Sequence, residues 1–173
     1  NLSCLFKSKV TFNSDLSKWV ISKVIDLQAT FFGASTFNSD LSKWTTSTVT
    51  NMQQTFFGAS AFNSDLSKWI TSTVTNMQYM FYEAFEFNSL LSKWDTSQVI
   101  NMQKIFWNCG FNRTLCGGAW ESLQGDRNAF DITGSSTARH GCCPSGEYMS
   151  NPTDISDPFL VENSCSQCQK GQS

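Results

Sequence analysis

The stretch FNSDLSKW occurs three times, at Phe12–Trp19, Phe37–Trp44 and Phe62–Trp69, and returns as FNSLLSKW at Phe87–Trp94. The four copies are 25 residues apart. A fixed period of about 20–50 residues is typical of a solenoid, in which each unit is too small to bury its own apolar face and stacks on its neighbours. The sequence therefore predicts a stack of about five 25-residue coils.

A second phrase fills the interval between copies, and VTNMQQTFFGAS, which starts at Val49, is one example. Its apolar residues Val49, Met52, Phe56 and Ala59 follow the i, i+3, i+7, i+10 pattern of one helical face. A helix there would begin after the N-cap Ser47 and end near a glycine. The phrase FNSDLSKWTT is instead typical of a turn followed by a short strand. We therefore predict an α/β solenoid with one short parallel strand and one short helix in each coil, the alternative being an all-β solenoid.

Two residue types recur at every coil and form predicted structural ladders. Side-chain amides at one level of a stack can bond the backbone of their own coil and of the next. The indole rings of the tryptophans are expected in the core. The alternatives are a ligand-binding asparagine row and a tryptophan platform that stacks on sugars. The ladder residues are Asn13, Asn38, Asn63 and Asn88 together with Trp19, Trp44, Trp69 and Trp94.

A third pair of recurring residues carries opposite charges. Asp15, Asp40 and Asp65 each lie three residues before a lysine of the same copy, Lys18, Lys43 or Lys68. We expect both columns to be exposed and to neutralise each other, with a small effect on stability of about 0–1 kcal/mol per pair. In the fourth copy Leu90 takes the place of the aspartate, which predicts a contact surface there.

The composition narrows the range of partners. The net charge is −2 and only 15% of residues are charged, against about 25% in an ordinary domain. Such a chain is too neutral for steered binding to nucleic acid or to an anionic membrane surface. No apolar run reaches the length needed for membrane insertion. Seven cysteines favour an oxidising setting, so we expect a secreted or cell-surface protein.

The chain changes character after Trp120, which predicts a repeat solenoid at 1–120 and a cysteine-rich cap at 121–173. All three prolines and six of the seven cysteines lie from Cys109 onward. FNRTLCGGAW, at Phe111–Trp120, is a degraded last repeat, as expected of a capping unit.

The repeat unit F-N-x-D-L-S-x-W-x-x-S-x-V-x-N-M-x-x-x-F resembles the 25-residue repeat of BspA-like surface proteins, of the kind found in mycoplasma lipoproteins and in protists and algae. The resemblance covers Leu2 to about Trp120. It implies a leucine-rich-repeat-like solenoid at a cell surface, associated with adhesion or with no assigned role, and it implies no catalytic residues.

The segment that begins CCPSGEY resembles short cysteine-rich modules of the tumour-necrosis-factor-receptor-like or ephrin-receptor-like kind. That resemblance implies a disulfide between Cys143 and Cys165, after which Cys142 is the natural partner of Cys116. Cys109 aligns with Ala34 and Ala59 and is expected to be a buried thiol. Cys4 and Cys168 then remain, and they could form an interchain bond if subunits stack head to tail.

Catalysis and metal binding find little support in the sequence. The only histidine, His140, lies beside Cys142 and Cys143, and nothing else indicates a Cys–His nucleophile. The adjacent cysteines fit a zinc site poorly. The stretch DRNAFD at Asp126–Asp131 lacks the spacing of a calcium loop. We therefore predict no enzyme activity, no metal and no cofactor.

Two functions remain after these exclusions. One is a self-assembling extracellular structural protein that forms a filament or surface layer, since Leu2 aligns with Leu27 and the chain is expected to begin inside a repeat. The alternative is an adhesin that binds a glycan or a protein on its concave face. Asn1 and Asn112 are predicted glycosylation sites, because both lie in N-x-S/T sequons. For Asn112 the alternative is a buried role in the asparagine ladder, since it also belongs to the asparagine column.

Overall fold

The computed structural model describes residues 1–111, Arg113, Leu115 and Trp120, together with two short strands further along the chain. Strand β1 is Tyr148–Met149 and strand β2 is Cys165–Ser166. They pair antiparallel, with Tyr148 opposite Ser166 and Met149 opposite Cys165. The cysteine-rich cap predicted at 121–173 lies outside the described residues apart from these two strands.

Residues 1–111 are organised in coils that repeat every 25 residues. Coil 1 is residues 1–25, coil 2 is 26–50, coil 3 is 51–75, coil 4 is 76–100, and coil 5 begins at 101. Parallel bridges join Asp26 to Asn51, Asn51 to Asn76 and Asn76 to Asn101, so the same position of each coil lies on the next. The sequence period therefore corresponds to one coil lying in register on its neighbour.

A chain of tight turns occupies the segment where a helix was predicted. In coil 2 the N–H groups of Thr30, Phe32 and Ala34 each donate to the carbonyl three residues back, at 3.0–3.2 Å. The alternate N–H groups donate to the following coil instead, and they are those of Leu27, Ala29, Phe31 and Gly33, at 2.7–2.9 Å. An α-helix bonds nearly all of these donors internally, whereas this segment uses half of them to bind the next coil.

The turns require left-handed backbone at two positions per coil. Gly33 and Gly58, which were predicted to end helices, have φ of 65° and 64° and are the third residue of a turn. The other such position is taken by residues with a side chain, Ala29, Gln54, Tyr79 and Lys104. The strand predicted beside each tryptophan is also replaced by a turn, Leu41–Trp44 in coil 2. In residues 1–111 turns therefore occupy the segments where a short strand and a short helix were predicted.

The core is a set of aromatic columns that run from coil to coil. Phe31, Phe56, Phe81 and Phe106 stack with centroid separations of 5.5, 5.7 and 5.9 Å. Within one coil, Phe56 also stacks on Phe62 at 3.8 Å. Leucine, methionine, valine and alanine fill the remaining interior positions. Burial of each large apolar side chain stabilises the stack by about 1.5–3 kcal/mol.

Coil 5 departs from the register in its second half. Phe111 stacks on Phe87 at 6.1 Å although it follows by 24 residues rather than 25. A Cβ on Gly110 would overlap the carbonyl oxygen of Phe85, so only glycine fits this close approach. Trp120 then donates from Nε1 to the carbonyl oxygen of Leu91 at 3.2 Å, as the tryptophans of earlier coils do to theirs.

Candidate binding surfaces of the repeat stack

The predicted asparagine ladder lies at the surface and bonds one coil to the next. Oδ1 of Asn13 accepts the backbone N–H of Asn38 at 2.8 Å, Asn38 bonds Asn63 in the same way, and Asn63 bonds Asn88. The first three of these side chains are exposed and Asn88 is half-buried. The acceptor oxygens of Asn13, Asn38 and Asn63 are thus used in bonds to the backbone of the next coil.

The tryptophan column is an interior ladder in coils 2 to 4. Trp44, Trp69 and Trp94 are buried, and each donates from Nε1 to a leucine carbonyl oxygen of the preceding coil at 3.0–3.2 Å. Their rings stack face to face at 6.2 and 6.4 Å. Trp19 of coil 1 is 39% exposed. Because these three indoles are buried, they offer no platform for a sugar in coils 2 to 4.

The remaining predicted site residues are only partly described. Asn1 is exposed, and its Oδ1 accepts the N–H of Ser3 at 2.7 Å. Cys4 is an exposed free thiol, and Cys109 is a buried free thiol whose pKa is raised to about 12 by burial. Cys165 is described only as part of strand β2. The others, which are Cys116, Cys142, Cys143, Cys168 and Asn112, lie outside the described residues.

Two charged columns mark one edge of the stack. The acidic stripe is Asp15, Asp40 and Asp65, and the basic stripe is Lys18, Lys43, Lys68 and Lys93; all seven residues are exposed. In coil 2, Asp40 precedes the turn Leu41–Trp44 and Lys43 is the third residue of that turn. The two stripes therefore run side by side along one edge.

The aspartates of the acidic stripe are bound first by their own turns. Oδ1 of Asp40 accepts the N–H of Ser42 at 2.8 Å, and Asp15 and Asp65 make the same contact with Ser17 and Ser67. Hydrogen bonds from Ser42 are the main cause that lowers the pKa of Asp40, and the charge of Lys43 has a smaller effect. Neutralisation by the neighbouring lysine, which the sequence predicted, is therefore secondary to the serine contacts.

A glutamine column, which the sequence analysis missed, reinforces the stack. Gln53 donates from Nε2 to Oε1 of Gln78 at 3.0 Å, and Gln78 donates to Gln103 at 2.9 Å. Beside it, the asparagines of the parallel bridges accept N–H groups two residues ahead, as Asn51 does from Gln53 at 3.0 Å. The signal was present, because both residue types recur with the 25-residue period.

A half-buried aromatic column, also missed, lies outside the core. Phe32, Phe57 and Tyr82 stack at 4.6 and 4.5 Å, and Trp107 follows at 6.0 Å. Ammonium groups lie over the two end rings, Lys7 over Phe32 at 4.9 Å and Lys104 over Trp107 at 4.5 Å. The ring faces of this column are therefore in contact with neighbouring rings or with lysine ammonium groups.

Groups suited to metal binding are not clustered in the part of the chain that the structure describes, where no three His, Cys, Asp or Glu residues come together. The described residues contain no helix of the length and apolar character needed to cross a bilayer. The surface chemistry of the coils is instead that of repeated amide, hydroxyl, ammonium and carboxylate columns.

Comparison with protein families identifies the class to which these coils belong. Residues 1–120 match the family described as Mycoplasma protein of unknown function, DUF285. The chain belongs to this family, whose model spans the whole repeat stack. No curated protein and no solved structure matches the chain.

Proposed function

We propose that the chain is a non-enzymatic, extracellular structural protein, a solenoid with a cysteine-rich cap, that associates with copies of itself. The observation that carries the proposal is that equivalent hydrogen bonds join neighbouring coils along the stack. Ala29, Gln54 and Tyr79 each donate an N–H to a glutamine carbonyl of the next coil at 2.9 Å.

Each coil thus presents one surface to its predecessor and the matching surface to its successor. A repeated unit with two matching surfaces suits an assembly in which contacts between copies continue a periodic pattern. The long sides of the stack repeat as well, since the basic stripe places an exposed lysine at the same position of coils 1 to 4. Periodic sides allow a second copy to lie alongside in register.

The resemblance of the unit to BspA-like surface repeats supports a location at the cell surface. The abundance of cysteine fits the same oxidising compartment. The proposed cap would be held by the Cys143–Cys165 and Cys116–Cys142 disulfides. A leucine-rich-repeat-like stack joined to such a module would expose its sides to partners.

Sedimentation velocity and electron microscopy of the purified protein over a wide concentration range test the proposal. We expect species larger than the 19.4 kDa chain, with a population that rises with concentration, and elongated particles in micrographs. A single species at 19.4 kDa at every concentration and salt level would contradict self-association.

The second candidate is an adhesin that binds a glycan or a protein. It is favoured by the column that follows each tryptophan, Val20, Thr45, Ile70 and Asp95, because its residue type changes from coil to coil. Val20 is 88% exposed and Ile70 is 48% exposed. Variation beside a fixed core residue suits recognition of a specific partner.

A glycan array probed with the intact protein tests this candidate. We expect a hit that Ile70→Asp abolishes and that Thr75→Ala, on another exposed column, leaves unchanged. If the signals for all glycans stay at background, glycan binding is excluded as the function.

A further inference from the structure

Like charges are stacked within each stripe of the charged edge. The charge of Asp15 raises the pKa of Asp40, and that of Asp40 raises the pKa of Asp65, against the larger lowering effects of the serine hydrogen bonds. The hydrogen bonds from Asn38 to Asn13 and from Asn63 to Asn38 hold the coils in register two residues before each aspartate, so each carboxylate has the next coil's carboxylate as its neighbour along the stripe. A row of opposite charges laid along the stripe would turn this repulsion into attraction.

The chain itself supplies such a row, because the basic stripe runs parallel to the acidic one at the same period. The charge of Lys43 reaches two aspartates, Asp15 of the preceding coil and Asp40 of its own, and lowers the pKa of both. The two stripes are thus near neighbours on one edge. An edge that carries one acidic and one basic row is complementary to its own copy.

We propose that this edge is an isologous interface, at which a second copy lies alongside and the acidic stripe of each copy faces the basic stripe of the other. The partner is another copy of this chain, so the inference rests on the proposed self-association. It adds the surface, the symmetry and the force that hold two stacks together.

The order of the stripes selects the orientation of the pair. A two-fold axis parallel to the stack exchanges left and right but keeps the coil order, so Asp40 faces Lys43 of the second copy. A two-fold axis perpendicular to the stack, lying in the interface, would place Asp on Asp and Lys on Lys. The two stacks therefore run parallel, with coil 2 beside coil 2 and coil 3 beside coil 3.

Coil 4 contributes an apolar contact to the same edge. Leu90 takes the aspartate's place there and is 54% exposed. In the parallel pair it faces Lys93 of the second copy, whose aliphatic stem can cover it while the ammonium stays in water. Leu90, at the aspartate's position in coil 4, thus also has a matching partner in the second copy.

The strength of the interface depends on the number of pairs and on salt. One exposed ion pair contributes only about 0.2–1 kcal/mol, but three aspartates on each of two copies form a network along the edge. Exposed charges are screened beyond about 10 Å at 0.1 M salt. We expect the association constant to fall about tenfold or more between low and high salt.

Charge reversal tests the interface. The variant Lys43→Asp/Lys68→Asp makes both stripes acidic in coils 2 and 3 and leaves the serine contacts of the aspartates intact. The variant Asp40→Lys/Asp65→Lys makes both stripes basic. The control Lys9→Asp/Lys23→Asp has the same change of net charge as the first variant, but at exposed lysines outside the stripes. Circular dichroism establishes that each variant is folded, and sedimentation velocity at low salt reports association.

We expect each stripe variant alone to associate at least about tenfold more weakly than the native protein, and an equimolar mixture of the two to recover association. The control should behave as the native protein does. If the native protein associates but the acidic variant does so equally, or the mixture does not recover, the stripe interface is overturned while the proposed function stands.

If the native protein stays monomeric at every salt level, both the interface and the proposed function are overturned. If it stays monomeric and instead binds heparin through Lys43 and Lys68, the edge is a polyanion site and the inference is overturned in favour of that partner.

Discussion

Nε1 of Trp69 donates a hydrogen bond to the carbonyl oxygen of Leu41, 28 residues earlier, at 3.1 Å. The side chain that fills the core of one coil therefore also bonds the backbone of the coil before it. Trp44 and Trp94 repeat this contact one coil away on either side. The same buried indole thus provides both core packing and a hydrogen bond to the preceding coil.

Replacement of Trp69 by phenylalanine should destabilise the stack by about 1–3 kcal/mol, because the carbonyl of Leu41 loses its buried donor and a small void remains. Trp19→Phe is the matched control, since Trp19 is 39% exposed, and it should cost less. Urea denaturation of both variants measures the difference. Equal losses would mean that the indole contact contributes nothing beyond ring size.

The left-handed turn position is tested by a reciprocal pair of variants. Gly58 has φ of 64° and Glu83, at the equivalent position of coil 4, has φ of 56°. Gly58→Ala should cost about 1 kcal/mol through backbone strain, since a Cβ there would meet only ordinary contacts with Gly33. Glu83→Gly should be neutral or stabilising. Thermal unfolding of the two variants measures the difference, and a destabilising Glu83→Gly would contradict the assigned turns.

The acidic stripe predicts how stability depends on pH. Hydrogen bonds from Ser42 and Ser67 hold the pKa of Asp40 and Asp65 below the ordinary value of 3.8. A lowered pKa in the folded state stabilises the fold above the unfolded-state pKa, and this contribution disappears as the pH falls through the folded-state pKa.

Urea denaturation at a series of pH values should therefore show a free energy of unfolding that is level near neutrality and falls below about pH 4. The effect should be small, because both carboxylates are exposed, and Asp40→Asn should flatten the decline. Stability that rises on acidification would count against the serine contacts.

The two described thiols should differ in reactivity. Cys109 is buried and its pKa is raised to about 12, whereas Cys4 is exposed. Because the thiolate is the reactive form, iodoacetamide at pH 8 should label Cys4 in the folded protein and spare Cys109 until urea is added. Peptide mass spectrometry measures both sites. Rapid labelling of native Cys109 would show that coil 5 opens.

The period of the sequence predicted which residues meet across coils, but it did not predict the backbone that brings them together. Val49, Met52, Phe56 and Ala59 are all buried, as their helical spacing requires. A chain of turns also places residues with this spacing on one side. The apolar pattern therefore identifies the residues that face the interior but does not decide between a helix and a chain of turns.

The left-handed residues could not have been recognised from their types. Gln54, Tyr79 and Lys104 occupy a conformation that glycine usually takes. Their side chains gave no local sign of it, because the constraint comes from hydrogen bonds to the next coil. The glutamine ladder, by contrast, could have been found from its period alone.

Residue i lies beside residue i+25 of the next coil, and a disulfide scan tests this arrangement most directly. Thr75 N–H donates to the carbonyl of Thr50 at 2.9 Å, so the Thr50→Cys/Thr75→Cys variant should place two Cα atoms within about 7 Å and form a disulfide on mild oxidation. The pair Thr50→Cys/Ile100→Cys lies on the same column two coils apart and should not. Peptide mapping that finds the first bond and not the second supports the stack; a folded protein that forms both equally, or only the second, would contradict it.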